Sequence, residues 1–188
     1  MDFLEIAQKR YSCRKYSDKK IDRETLLELV KVARLAPSAC NSQPWHFIVV
    51  DDADKIEQVA KATQKGGLGF INKFTPTAKA FLVLVKEKPG FSEKMAKVMT
   101  SRDYTPYDIG IVTATITYRA TELGLGSCIL GWFDEDKIKE ILSVPKKHFV
   151  DLVIALGYPE TADVPEKRRK DESEVLSFNS YGAKNEDK

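Results

Sequence analysis

The sequence predicts a single domain, residues 1–188, in which helices alternate with the strands of a buried sheet. Residues 81–85 are all apolar and show no polar alternation, which is typical of a strand buried on both faces. Elsewhere apolar residues recur at helical spacing, as Leu26, Leu29 and Ala33 do. A length of 188 residues allows one sizeable core and leaves little room for a second. Residues 180–188 are expected to be a disordered tail.

The predicted elements follow one another in chain order, and most are bounded by residues that start or stop them. Helices are predicted over residues 3–9, 23–35, 53–65, 92–100, 108–123 and 135–142, and strands over residues 45–50, 80–85, 127–130 and 149–156, with a short edge strand over residues 175–178. Asp22, Asp108 and Asp134 are predicted N-caps, because a carboxylate accepts hydrogen bonds from first-turn N–H groups. Pro37 ends the second helix, and Gly124 ends the longest one.

The residue types within the predicted elements support their assignment as strands or helices. Residues 45–50 are rich in aromatic and β-branched side chains, which favour strands. Residues 53–65 place Ile56 and Val59 on one helical face before residues 66–70, a glycine-rich stretch that we expect to be a loop.

The longest predicted helix has an apolar face rich in small residues. The residues on this face are Ile111, Ala114, Thr115 and Tyr118. Small residues allow helices to approach closely. From the pattern alone, this helix can pack either in the centre of a monomer or against a second copy of the chain.

The charge balance of the chain excludes several classes of partner. Lys and Arg number 30 against 28 Asp and Glu, and a formal net charge of +2 is too balanced to indicate nucleic acid binding. The N-terminal residues 1–5 contain acids where a signal peptide needs a basic start, and no apolar run approaches membrane-spanning length. We therefore expect a cytoplasmic protein without nucleic acid or membrane partners.

The cysteines and histidines do not indicate a metal site or a disulfide framework. Cys13, Cys40 and Cys128 are an odd number with no C-x-x-C spacing. His46 and His148 are the only histidines, and neither has other ligands at metal-binding spacing. We expect free thiols and no bound metal.

Residues 36–47 break a helix, turn, and lead into the first predicted strand. Two prolines, Pro37 and Pro44, bracket a cluster of Ser, Asn and Gln residues and stiffen the connection. A stiff polar loop can line a ligand-binding site. Taken alone, however, such a loop is more often an ordinary connector between a helix and a strand.

Basic residues occur in two groups in which polar side chains recur at every second position. Arg10 and Arg14 flank Ser12, and Lys167 and Arg169 lie near the C-terminus. In an extended backbone, side chains two residues apart share one side, so each group can converge on one ligand. Taken alone, the run over residues 166–172 is more typical of a solvated charged face.

These stretches together resemble one known family. Arg10-x-Ser12-x-Arg14, followed by Tyr16 and, after one helix, by A-P-S-x-x-N-x-Q-P-W, is similar to the nitroreductase family of FMN-dependent oxidoreductases. The resemblance continues through residues 124–131 (GLGSCILG) and the closing basic run, with Glu174 after it, and thus covers nearly the whole chain. It implies an α+β fold with a central mixed, mainly antiparallel sheet flanked by helices, and FMN at the interface of a homodimer.

The resemblance also implies a set of FMN-binding positions. They are Arg10, Tyr11, Ser12, Arg14, Pro37, Ser38, Ala39, Asn41, Asn72, Ile129, Leu130, Gly131, Lys167 and Arg169. The phosphate would be held by Arg10, Ser12, Lys167 and Arg169, and Arg14 would lie at the N1–C2 edge of the ring. Residues 37–41 would come from the partner subunit, residues 129–131 would face flavin N5, and Asn72 would lie near the pyrimidine edge.

The sequence departs from the family pattern at two positions. Tyr11 stands where many members have a basic residue, and Thr75 falls near a second family cation. These departures leave the redox potential and the preference for NADH or NADPH open.

The reaction implied by the resemblance is ping-pong. NAD(P)H would pass hydride to flavin N5 and leave, and an electron-poor acceptor such as a nitroaromatic or a quinone would then take the hydride. No catalytic side chain is expected, because Ser38 and Cys40 have no recognisable activating base. Three alternatives remain: a reductive dehalogenase or enoate reductase on the same scaffold, a flavin carrier or sensor without turnover, and a phosphate-ligand or interaction module without flavin.

Overall fold

Four antiparallel strands form one sheet in the computed structural model of the protein, which describes residues 1–64, 71–87 and 101–183. The strands are β1 (Trp45–Val50), β2 (Ala80–Lys86), β3 (Gly126–Leu130) and β4 (Phe149–Gly157). Their order across the sheet is β1-β2-β4-β3, so that β1 and β3 are its edges. The predicted α+β class and mainly antiparallel sheet are confirmed.

Helices flank this sheet. They are α1 (Phe3–Lys9), α2 (Arg23–Ala33), α3 (Ala53–Ala62), α4 (Thr105–Glu122), α5 (Glu135–Leu142) and the single-turn α6 (Glu172–Val175). Asp22 and Asp134 accept first-turn N–H groups at 2.7 and 3.3 Å, which confirms both as N-caps. Across the described ranges, no helix combines the length and apolar character needed to cross a membrane.

The side chains of β2 alternate between two hydrophobic cores, one on each face of the sheet. Phe81 and Val83 belong to the core that includes residues of α3 and α5. Leu82 and Leu84 belong to the core that includes residues of α2 and α4. Because both faces of the sheet are covered, every residue from 81 to 85 is buried. This explains why polar residues do not alternate with apolar ones there.

The segment between α1 and α2 runs along the outer edge of β3. Ser12 forms a parallel bridge with Ser127, and the Cys13 N–H donates to the Ser127 carbonyl at 2.9 Å. The Tyr16 hydroxyl donates to the Cys13 carbonyl at 2.9 Å. Gly126 permits this approach, because a Cβ there would lie 2.6 Å from Cys13 Sγ. This parallel bridge is isolated, and the four strands of the sheet itself all pair antiparallel.

The longest helix begins earlier than the sequence predicted. α4 starts at Thr105 with Pro106 in its first turn, and Tyr104 rather than Asp108 occupies the N-cap. Asp108 is buried in the first turn, and its carboxylate accepts the Ala39 N–H at 2.9 Å. The predicted cap was wrong because the proline sets an earlier start, and Asp108 bonds to a distant segment instead.

The predicted edge strand over residues 175–178 is also wrong. Asp171 and Glu174 form a capping box that winds residues Glu172–Val175 into one helical turn. These local bonds outweigh a short β-favouring pattern that has no neighbouring strand among the described residues. The predicted helix over residues 92–100, the loop over residues 66–70 and the tail beyond residue 183 lie outside the described residues.

Candidate functional site

Three cations gather where α1, the segment after it and the C-terminal tail meet. Lys167 Nζ donates a hydrogen bond to the Ala7 carbonyl in α1. Burial lowers the pKa of Lys167, and the nearby guanidinium groups of Arg10 and Arg169 lower it further. Among the described residues, none of these three cations is ion-paired with a carboxylate. Their mutual repulsion favours the binding of an anion.

Two arginines of the N-terminal segment lie within electrostatic reach of β3. Burial raises the pKa of the Cys128 thiol, and the charges of Arg14 and Arg10 oppose this rise. Arg14 Nη1 donates to the Ser12 carbonyl at 3.3 Å, and the side chains of both residues are exposed. Arg10, Ser12 and Arg14 therefore form one polar strip beside the edge strand.

Tyr11, between Arg10 and Ser12, is half-buried and packs against the hydrophobic core. Its hydroxyl donates to Cys13 Sγ at 3.6 Å. Burial, together with this hydrogen bond, raises the pKa of Tyr11 to about 12. At neutral pH Tyr11 is therefore a neutral side chain and adds no charge to the strip.

The C-terminal end of β3 is exposed beside the same strip. The side chains of Cys128 and Leu130 are buried, whereas the Ile129 side chain between them is 43% exposed. Leu130 can thus meet a ligand only through its backbone. A Cβ on Gly131 would meet nothing closer than Leu152 Cδ2 at 3.9 Å, so packing within the chain does not require glycine here.

Asn72 is held against the residue that follows this strand end. Its Nδ2 donates to the carbonyls of Trp132 and Thr63, each at 2.9 Å. The φ of Asn72 is 54°, a left-handed conformation that asparagine tolerates better than most residues. Trp132, which was not among the predicted site residues, is 54% exposed. The sequence feature that could have identified Trp132 is its position as an aromatic residue directly after Gly131.

The proline-bracketed loop is built on the opposite edge of the sheet. The Ser38 hydroxyl accepts the Gln43 N–H at 3.0 Å, and the Ala39 N–H donates to Asp108 in α4. The loop leads directly into β1, and β2 and β4 lie between β1 and β3. Three strand spacings amount to about 14 Å of sheet between the two edges.

The fourteen predicted cofactor residues therefore fall into two groups. The chain brings Arg10, Ser12, Arg14, Asn72, Ile129, Leu130, Gly131, Lys167 and Arg169 to the β3 edge, with Tyr11 turned inward beside them. It places Pro37, Ser38, Ala39 and Asn41 at the β1 edge. Within one chain, about 14 Å of sheet separates the two groups.

An apolar groove lies on the face of α4 that the chain's own core leaves uncovered. Phe3, Val32, Ile111 and Tyr118 line this groove, whose volume is about 590 Å³. The Phe3 side chain is 67% exposed and that of Ile111 is 41% exposed. Among the described residues this face is only partly covered: the Phe3 ring of α1 packs edge-on against Tyr118, with ring centroids 5.1 Å apart, and Ile111 stays exposed.

Replacing Gly126 with alanine is expected to destabilise the protein. The new Cβ would lie 2.6 Å from Cys13 Sγ and 2.7 Å from Cys13 Cβ, so the basic segment must move away from β3. The expected loss in the free energy of unfolding is about 1–3 kcal/mol, measured by denaturant titration. Gly131→Ala is the matched control, since its Cβ has room, and equal stability losses in both variants would contradict the prediction.

The fold and this site define an α+β domain with a cation cluster at one edge of its sheet. A sequence model described as the Nitroreductase family matches residues 7–158. The chain belongs to the nitroreductase family, and it is an oxidoreductase.

Similar proteins span most of the chain. A provisionally named NADH dehydrogenase/NAD(P)H nitroreductase of Archaeoglobus fulgidus is 33% identical over 166 residues, which cover 84% of this chain and 85% of that protein. An iodotyrosine deiodinase of Thermotoga neapolitana is 24% identical, with 94% of this chain and 97% of that protein covered. The solved structure of an FMN-dependent nitroreductase from Clostridium difficile matches with a TM-score of 0.73 and 30% identity, covering 95% of this chain and 99% of that one.

Proposed function

We propose that the protein is an FMN-dependent oxidoreductase that takes hydride from NAD(P)H and passes it to an electron-poor small molecule. The observation that carries this proposal is the cluster of Arg10, Lys167 and Arg169. The phosphate of FMN carries about two negative charges and several acceptor oxygens, which guanidinium and ammonium groups match. The exposed Ser12 beside Arg10 would add a hydroxyl donor.

In this proposal, the flavin ring would lie at the end of β3. Because β3 is an edge strand, part of its backbone N–H groups face away from β4, and the Ser12 bridge covers only the Ser127 position. The backbone of residues 129–131 would contact the ring, and Gly131 leaves room for it. Arg14 would stabilise negative charge on the reduced ring. When bound, FMN would supply the atom that accepts and donates hydride, N5.

A homodimer with two shared FMN sites completes the proposal. The loop over residues 37–41 lies on the edge of the sheet opposite the cation cluster, so a second chain would supply it to each site. The uncovered groove lined by Phe3, Ile111 and Tyr118 offers an apolar surface for that second chain. This apolar surface lies on α4, and the first turn of the same helix contacts the loop.

The names of the similar proteins support the choice of reductant and acceptor. An NAD(P)H nitroreductase name supports reduced nicotinamide as the hydride donor and nitro compounds as acceptors. We extend the proposed acceptors to quinones because they are electron-poor as well. The reductant and the acceptor would use the same exposed face in turn, which gives ping-pong kinetics. The protein's own residues would bind and orient the reactants, and no side chain needs to act as a nucleophile or base. A deiodinase name keeps reductive dehalogenation as the second candidate.

The test is the visible spectrum of the purified protein before and after addition of FMN and desalting. We expect a retained yellow chromophore that bleaches anaerobically with NADH or NADPH. A nitroaromatic, a quinone, a halogenated tyrosine and an enone are then added separately to the bleached protein. Recovery of the oxidised spectrum identifies the acceptor class.

The other outcomes separate the alternatives. A colourless protein that gains no chromophore from FMN would refute the proposal. A retained chromophore that no nicotinamide bleaches would favour a flavin carrier or sensor. Rapid recovery with the halogenated tyrosine alone would favour the dehalogenase.

A further inference from the structure

We propose that Asp108 is the positioning residue for the loop over residues 38–43, holding it in the conformation in which it meets the flavin. The inference rests on the proposed function for its consequence in FMN binding. Its structural part, a buried carboxylate that binds a distant loop, stands on the contacts of one chain.

The geometry places a charged side chain where charges are rarely found. Asp108 is 2% exposed in the first turn of α4. Its Oδ1 accepts the Ala39 N–H at 2.9 Å, and its Oδ2 accepts the Ser42 hydroxyl at 3.5 Å. Both bonds reach the same loop, 66 to 69 residues away in sequence. Hydrogen bonds to a carboxylate with little access to water are stronger than those between neutral groups.

The loop needs such an anchor because its own backbone is strained. Cys40, Asn41 and Gln43 have φ values of 51°, 51° and 45°, in the left-handed region. Side chains with a Cβ rarely adopt this region, and they keep it only where the surroundings hold them. The Asp108 bonds lie on either side of Cys40 and Asn41, so they hold the two ends of the strained turn.

The position of Asp108 also connects the loop with the proposed dimer face. Asp108 lies on the buried side of α4, and Ile111, one turn further, lies on the exposed side that lines the groove. A rigid helix would therefore present the loop and the dimer face together. Each subunit would therefore supply a loop that is already ordered to the flavin site of its partner.

The experiment compares Asp108→Leu, Asp108→Asn and the control Thr113→Val. Leucine has a branched side chain similar in shape to that of aspartate and accepts no hydrogen bond, whereas asparagine keeps an acceptor oxygen for the Ala39 N–H. Thr113 is a second buried polar residue of α4, and its hydroxyl has no hydrogen-bond partner within the described structure. Removing that hydroxyl should leave the loop untouched.

Three readouts are expected to agree. Hydrogen exchange at the Ala39 amide should accelerate in Asp108→Leu and remain slow in Asp108→Asn and Thr113→Val. The Kd for FMN should rise about tenfold in Asp108→Leu, which corresponds to the loss of one charge-assisted hydrogen bond, and less than threefold in the other variants. The visible circular dichroism of bound flavin should change in Asp108→Leu only.

The outcomes separate this inference from the proposed function. If the unaltered protein binds no FMN, the proposed function fails, and hydrogen exchange alone still decides whether Asp108 holds the loop. If FMN binds and Asp108→Leu keeps both the slow Ala39 exchange and the original Kd, the positioning role is overturned. A fall in thermal stability shared equally by Asp108→Leu and Asp108→Asn, without a difference in FMN binding, would also overturn it.

Discussion

Replacing Arg10 with alanine is expected to raise the Kd for FMN by about 10- to 100-fold, because one charge-assisted hydrogen bond to the phosphate is worth about 1.5–3 kcal/mol. The fold should persist, since the Arg10 side chain is half-exposed and has no carboxylate partner among the described residues. Isothermal titration of the FMN-free protein with FMN measures the change. The loss should diminish at high salt, which screens exposed charges.

Arg168→Ala is the matched control for this prediction. Arg168 belongs to the same basic run as Lys167 and Arg169 and is exposed, but only its carbonyl contributes a described contact, accepting Arg169 Nη1 at 2.7 Å. Its removal changes the net charge by the same amount as Arg10→Ala. Equal losses of FMN affinity in the two variants would show that general positive charge, rather than a phosphate contact, holds the cofactor.

Replacing Ile111 with aspartate is expected to break the homodimer and release FMN together. Ile111 is 41% exposed in one chain and lines the apolar groove on α4. In a dimer built on this groove, the new carboxylate would be buried without a partner, at a cost of about 3–5 kcal/mol. Dimer dissociation should then become at least about 100-fold easier. Sedimentation velocity measures the mass, and absorbance measures the retained flavin.

Phe149→Asp is the control for the dimer prediction. Phe149 is 54% exposed, and the ammonium groups of Lys86 and Lys139 lie over its ring, so an introduced carboxylate has cations nearby. It does not line the groove. A dimer that persists in Ile111→Asp, or that dissociates equally in both variants, would place the subunit interface elsewhere.

Local patterns in the sequence predicted most of the fold. The runs that became β1, β2, β3 and β4 were found because burial on one or both faces requires apolar side chains at definite intervals. Asp22 and Asp134 were recognised as caps because an N-cap interacts only with its own first turn. The prediction over residues 175–178 failed where a weak β pattern competed with a capping box.

The long-range contact of Asp108 could not be predicted from the sequence. Its residue type suits an N-cap, and the local sequence contains no sign that its carboxylate would reach Ala39. Gly126 is similar, because the requirement for glycine arises from Cys13, more than a hundred residues earlier in the chain. Contacts between residues so far apart in sequence depend on how the elements pack. A short stretch of sequence carries no information about that packing.

The sequence by itself determined the strands, the helices they alternate with, and the residue types suited to an anionic flavin cofactor. Propensity, periodicity and motif spacing are properties of neighbouring residues, so they can be read before folding. The family resemblance implied that Arg10, Lys167 and Arg169 share one ligand, but only the tertiary structure brings them together and puts the loop over residues 37–41 at the other edge of the sheet. Strand order brings residues far apart in sequence together or separates them, and it is set by the packing of the two cores around β2.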